Sequence, residues 1–356
     1  MRVPRTGSLA PLIMAVALLV GSAATADPPK PPPITAKLVT LNKSGPLAEL
    51  LAEVSRQTGL AVEAADGAAK ATAAFDRTPF WAAVEQLAAG TGHRVAVDGS
   101  KVKLVKLASG VKPPPSATDG PFRAVVKKVI ARKDFETGGV EYEVQLDVLW
   151  EPRFPVFLID TDLRVTAAAA GGQKPTADSP TGRVLPVGYT HPATVRLKGV
   201  PRTAGKIDSL SGTFRVTAAD HRLSVEFKDL TGDKPVTQSA EGVAVTLKPV
   251  RRLEKRVEFG FELEYPPGHP EFESFQLWAG GNRLRLIAPD NRTTYEPADY
   301  SADENGRRVR AEYSFSGPNG QPFTLPDLKG WRAVYDTPCP MVERTVTLTF
   351  KDIELP

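Results

Sequence analysis

The chain has 356 residues, with 45 Lys and Arg against 41 Asp and Glu, a formal charge of +4 with neutral histidines, and one cysteine. That length supports two or three ordinary cores. A single thiol excludes an intramolecular disulfide, and no Lys/Arg stripe stands out, which argues against nucleic acid as a partner.

The first 26 residues read as a secretory signal peptide. Arg2 and Arg5 give a basic start, Ala10 to Val20 is apolar, and Ala24-Thr25-Ala26 is a small-residue cleavage site. The apolar run is shorter than the about 20 residues that span a membrane. No later run is longer, so the mature chain is expected to have no transmembrane span and to be exported to the periplasm or another extracytoplasmic space. Without Arg2 and Arg5 it carries 43 basic and 41 acidic side chains, so it is close to neutral. Proline-rich segments at 27–33 and 109–120 are expected to be linkers in extended, semi-rigid form.

Between those linkers, residues 34–108 repeat one sentence twice. "PLAELLAEVSRQTGLAVEAADG" starts at Pro46 and "PFWAAVEQLAAGTGHRVAVDG" at Pro79. Leu47, Leu50, Leu51 and Val54 recur at helical spacing, as do Phe80, Val84, Leu87 and Ala88. Proline is tolerated at a helix start, because the donor it lacks has no partner there. Thr58-Gly59 and Gly90 with Gly92 supply stops. Asp98-Gly99 is a two-residue hairpin signal. The predicted order is β-α-β-β-α-β-β, an α+β module. Val39-Thr40-Leu41, Gly45-Pro46-Leu47, Thr58-Gly59-Leu60, Leu87, Thr91-Gly92 and Asp98-Gly99 together resemble the short N-terminal domain of secretins and TonB-dependent receptors. Trp81 departs from that pattern, which usually has a polar residue there. The resemblance implies an envelope module for docking partner proteins and for signalling, without catalysis. The rest of the chain departs from both families, being too short for a receptor barrel and lacking lipid-facing alternation with aromatic girdles.

The remaining residues show a second doubling. Tyr142, Val144, Leu146, Val148 and Trp150 alternate with polar residues, and Val257, Phe259, Phe261, Leu263 and Tyr265 do so in phase, 115 positions on. Pro152 and Pro155 then match Pro267 and Pro270. Leu223, Val225, Phe227 and Leu230 match Val346, Leu348, Phe350 and Ile353, 123 positions on. Two tandem all-β sandwich-like domains are therefore expected, at 121–240 and 241–356. These halves also resemble exported bacterial β-rich proteins ending in F-[KR]-D-[LI], a likeness that implies no activity.

Catalytic patterns are missing. His93, His191, His221 and His269 lack metal-ligand spacing, and no nucleophile elbow, phosphate loop, dinucleotide fingerprint or C-x-x-C occurs. Asp160 with Asp162, and Asp303-Glu304-Asn305-Gly306, are acidic, but neither fits a calcium loop and both read as polar hairpin or turn positions. Cys339 has no local base and reads as a buried or idle thiol. Trp150 reads as core, while Trp278, before a glycine turn, is the better candidate for stacking a sugar. No catalytic, cofactor-binding or metal-binding residue is assigned and no cofactor is expected. The expected function is a non-enzymatic cell-envelope protein that docks an envelope protein partner through the N-terminal module and the sandwiches. The alternative is a carbohydrate-binding or adhesion protein that uses the sandwiches.

Overall fold

A computed structural model describes residues 34–356 except 134, 137, 179–181, 229, 271–281 and 317–327, so the expected signal segment 1–26 and the linker 27–33 lie outside the described residues. The protein is mostly β, with two helices and several sheets among the described residues. No helix among them is long and apolar enough to cross a membrane.

The N-terminal region contains β1 (Leu38–Pro46), α1 (Leu47–Thr58), β2 (Val62–Ala64), β3 (Lys70–Pro79), α2 (Phe80–Gly90), β4 (His93–Asp98) and β5 (Lys101–Lys106). β1 pairs with β3, and a separate three-stranded sheet has the order β2-β5-β4. Pro46 and Pro79 are the last extended residues before each helix, at φ −57 and −56, so the ring costs no helical hydrogen bond. Gly59 closes α1 at φ 73, where its N–H reaches Ser55 O at 2.8 Å; a side chain there would be strained. Leu47, Leu50, Leu51 and Val54 of α1 and Phe80, Trp81, Val84 and Leu87 of α2 share a buried core with both sheets.

The next stretch holds β6 (Ser116–Asp119), β7 (Phe122–Lys133), β8 (Val140–Trp150), β9 (Val156–Asp160), β10 (Arg164–Ala169), β11 (Thr176–Ala177), β12 (Arg183–Val184), β13 (Thr190–Lys198) and β14 (Lys206–Phe227). The last holds β15 (Val236–Ala240), β16 (Val243–Leu247), β17 (Arg251–Arg252), β18 (Arg256–Glu264), β19 (Arg283–Ile287), β20 (Thr294–Tyr295), β21 (Asp299–Asn305), β22 (Arg308–Ser316) and β23 (Arg332–Glu354). A five-stranded sheet runs β11-β13-β8-β7-β6, and a six-stranded one runs β15-β16-β18-β22-β21 with β17 also on β18. Read from opposite ends they have one plan. β8 lies between β7 and β13, and β18 lies between β16 and β22.

Both sheets pack against a third, seven-stranded one built on β14 and β23. These strands have 22 and 23 residues and pair antiparallel from Lys206 opposite Glu354 to Phe227 opposite Ala333. The ribbon belongs to two cores. Leu210, Phe214, Val216 and Ala218 join Val342, Val346, Leu348 and Phe350 in the first, with the five-stranded sheet. Ala219, Leu223, Val225 and Phe227 join Ala333, Tyr335, Cys339 and Met341 in the second, with the six-stranded sheet. Even-numbered positions are buried on one side of the changeover and odd-numbered ones on the other. The change falls beside Asp220 and Pro340, one of two levels where the ladder has no pair. Proline has no N–H to give there. The same shift occurs at Asp208 and Asp352, past which Ile207 and Ile353 rejoin the first core.

This arrangement corrects the expected boundaries. Leu223 to Leu230, assigned to 121–240, fill the second core, and Val346 to Ile353, assigned to 241–356, fill the first. A cut at residue 240 therefore separates no core, because each half lends its last strand segment to the other. The proline-rich 109–120 segment is likewise more than a spacer. Ser116–Asp119 is an edge strand on β7, and Asp119 accepts hydrogen bonds from Arg344 and from the Thr347 N–H at 2.6 and 2.8 Å.

Candidate docking site

The sequence-flagged polar residues are dispersed. Among the described residues, no group of three or more His, Cys, Asp or Glu side chains is placed to hold a metal ion. Asp160 is buried, receiving the Arg215 N–H at 2.9 Å and lying 3.5 Å from the Arg183 guanidinium. Asp162 accepts the Thr194 N–H at 2.8 Å. Each thus has protein donors of its own. Glu304 is buried on β21 and Asp303 is exposed. His93 is buried, with Nδ1 2.9 Å from Thr91 O, and His191 Nε2 lies 3.1 Å from Thr161 O. His221 lies 3.1 Å from Glu241.

The second core ends in a polar cluster. Tyr265 Oη and Thr337 Oγ1 are 2.6 Å apart, and the Thr337 hydroxyl donates to Asn282 Oδ1 at 2.9 Å. His269 packs on Tyr265 with ring centroids 5.1 Å apart. Burial, aided by the Arg307 charge, pushes its pKa down to about 4, so it is neutral near pH 7. Cys339 is buried, and burial together with the Glu241 carboxylate pushes its thiol up to about 12, the reverse of an activated nucleophile. Trp150 is fully buried in the first core, and the half-buried Trp331 ring lies tilted against Tyr295 with centroids 5.6 Å apart. Trp278 lies outside the described residues.

A group of buried specific contacts lies where the N-terminal region meets the five-stranded sheet. α2 sets Trp81 and Glu85 one turn apart on one face. Trp81 is fully buried and its indole N–H donates to Pro121 O at 2.9 Å; the same carbonyl accepts the Glu151 N–H at 3.0 Å. Glu85 accepts from Ser116 Oγ at 2.5 Å and from Arg123 Nε at 2.7 Å. Below them Val125 of β7 and Leu149 of β8 are buried in the core of the N-terminal region, not in the core of their own sheet. At the end of β8, Glu151 accepts the Lys37 N–H at 3.0 Å and Arg153 Nε at 2.7 Å, while Lys37 O accepts the first N–H of α2, from Phe80, at 2.8 Å. Arg153 also donates to Thr35 O. Burial raises the Glu151 pKa, and the Arg153 and Lys37 contacts oppose that rise. These residues fix the N-terminal region on the sheet.

In the seated region's β2-β5-β4 sheet, β2 and β4 are the edge strands among the described residues; the Val62 N–H of β2 is taken by Ser55 Oγ of α1 at 3.1 Å, whereas β4 has no partner but β5. Beside β4 a cleft of about 340 Å³ separates it from the five-stranded sheet.

Sequence reasoning missed Glu85, Arg123, Glu151 and Arg153. A signal existed on β8, where the outward series Glu143, Gln145 and Asp147 breaks at Leu149. The Trp81 departure marked the other half of the contact.

No family model and no curated protein matches the chain. A solved structure described as the crystal structure of the conserved domain protein from Bacillus anthracis aligns with a TM-score of 0.17 and 8% identity, over 69% of this chain and 91% of that one. A likeness of that size carries no argument.

Proposed function

We propose that the chain is an exported, non-enzymatic cell-envelope protein that docks partner proteins. In this reading residues 34–108 are an α+β module like the short N-terminal domain of secretins and TonB-dependent receptors. The β-rich remainder is a pair of sandwich units that have exchanged their last strand segments. The observation that carries the reading is the seating of α2. Its Trp81–Glu85 face is spent on the five-stranded sheet, which leaves the β4 edge of the module without a strand partner among the described residues, along a cleft. An open edge presents unpaired N–H and C=O groups and is a recurrent means of binding a protein strand. The common strand plan of the five- and six-stranded sheets, with Val144 and Phe259 both fully buried on the central strand of each, supports the two-unit reading. Capture of envelope proteins on the immobilised mature chain tests it. A discrete partner lost when proline replaces Val97, whose N–H lies on the free side of β4, is expected. Capture unaffected by any change on the module would contradict it.

A further inference from the structure

The cleft beside β4 has two unlike walls. One is four consecutive residues of β4, Arg94 to Val97. Alternate residues of a strand point to opposite faces, so a run of four along one opening means that the backbone edge looks into it. β4 pairs only with β5, and among the described residues none of the backbone hydrogen bonds outside the ladders uses Arg94 to Val97. The facing wall is the outer surface of β7 and β8, with Val125 and Leu149 apolar and Arg123, Lys127 and Asp147 charged.

Arg123 is the unusual group. Its side chain is only 4% exposed. Nε is bound to Glu85 on the α2 side, yet Nη1 is buried with no hydrogen-bond partner. A buried guanidinium donor left unpaired is costly, and a carboxylate satisfies it in the planar, two-bond geometry that arginine favours. The cleft lining is also cationic, with Arg94, Arg123 and Lys127 against Asp147, which lies 3.1 Å from Lys127.

We propose that this cleft binds an extended peptide segment that ends in a free carboxylate, pairing along the β4 edge and placing the carboxylate at the Arg123 guanidinium. Backbone pairing supplies the affinity, and the arginine selects for the terminus. The proposal gives a ligand chemistry to the docking function above and rests on that reading for its biological sense.

The test is a fluorescence-anisotropy titration of the mature chain against a fluorescein-labelled Thr-Val-Thr-Val-Thr-Val hexapeptide, with either a free or an amidated C-terminus. Saturable binding of the acid is expected, with the amide at least roughly 10-fold weaker, because it offers the buried Nη1 donor no carboxylate. Arg123→Met should bring the acid down to the level of the amide. Should that variant unfold, the amide chemical shifts of the unaltered protein decide, with the acid moving those of Arg94 to Val97. Absence of saturable binding, equal affinity for acid and amide, or shifts confined to other strands would overturn the proposal. Acetate binding as tightly as the hexapeptide would also overturn it, since no strand would then be needed. Peptide failure with partner capture intact removes this cleft alone, whereas failure of both removes the docking function too.

Discussion

The five-stranded and six-stranded sheets share a strand plan and differ in what covers their outer faces. On β18 every outward carboxylate meets a cation near water: Glu258 with Arg251 and Arg256 at 2.9 Å, Glu262 with Lys248 at 2.9 Å, and Glu264 with Arg308 at 3.4 Å. On β8 the counterpart of Glu264, at the 115-residue offset, is Leu149, buried beneath the N-terminal region. One strand-end position thus separates a face that stays in water from a face that holds a helix. Exposed ion pairs of the first kind add little stability, and the buried contacts of the second kind add much more.

Exchanging those two residues should have opposite and unequal effects. Leu149→Glu puts an uncompensated carboxylate under α2 and should cost about 3–5 kcal/mol, read as a lowered urea midpoint and as proteolysis near Pro113 to Pro115. Glu264→Leu should stay within about 0.5 kcal/mol. A loss below about 1 kcal/mol for Leu149→Glu would mean that α2 is not seated there.

Phe227→Ala and Phe350→Ala ask whether the two cores act separately. Each removes a fully buried ring from a different core, at about 3–5 kcal/mol. Because β14 and β23 run through both cores, one cooperative calorimetric transition is expected for each variant. A second, unshifted transition would show that the ribbon does not couple them. Trp81→Phe keeps most of the ring and loses only the indole bond to Pro121 O, at about 1–2 kcal/mol in the same assay.

The polar end of the second core gives a pH difference between the two cores. His269 occupies the position of Phe154 at the 115-residue offset. Its folded pKa, about 4, lies below its ordinary 6.5. The unfolded chain therefore binds more protons between those values. Its contribution is complete above about pH 6.5 and is lost as pH falls towards 4. His269→Phe should flatten that part of the stability profile, measured by urea unfolding at several pH values. An unchanged slope would remove the histidine as its cause. The smallest effect belongs to the exposed face, where Lys248→Gln should change stability by less than about 0.5 kcal/mol.

Much of the local structure was legible in the residues. Two proline-started helices, the Asp98-Gly99 hairpin and the in-phase strands around Val144 and Phe259 follow from period and turn chemistry, which act over a few residues. The exchange of strand ends was not legible. Leu223 to Leu230 and Val346 to Ile353 alternate in the same way whichever core they enter, and only the long-range register of β14 on β23 chooses between the cores. The docking contacts were half legible. Trp81 and Leu149 each broke a local pattern, but their meeting depends on the fold, as does the pairing of Glu85 with Arg123.

Site-specific photo-crosslinking in a cell that produces the chain tests the docking account most directly. A photoreactive residue in place of Ala96 on the β4 edge is compared with one in place of Glu262 on the solvated face of β18. The account predicts a discrete covalent adduct with an envelope protein from position 96 and none from position 262. Equal adducts from both positions, or none from position 96 in a chain that is exported and folded, would contradict it.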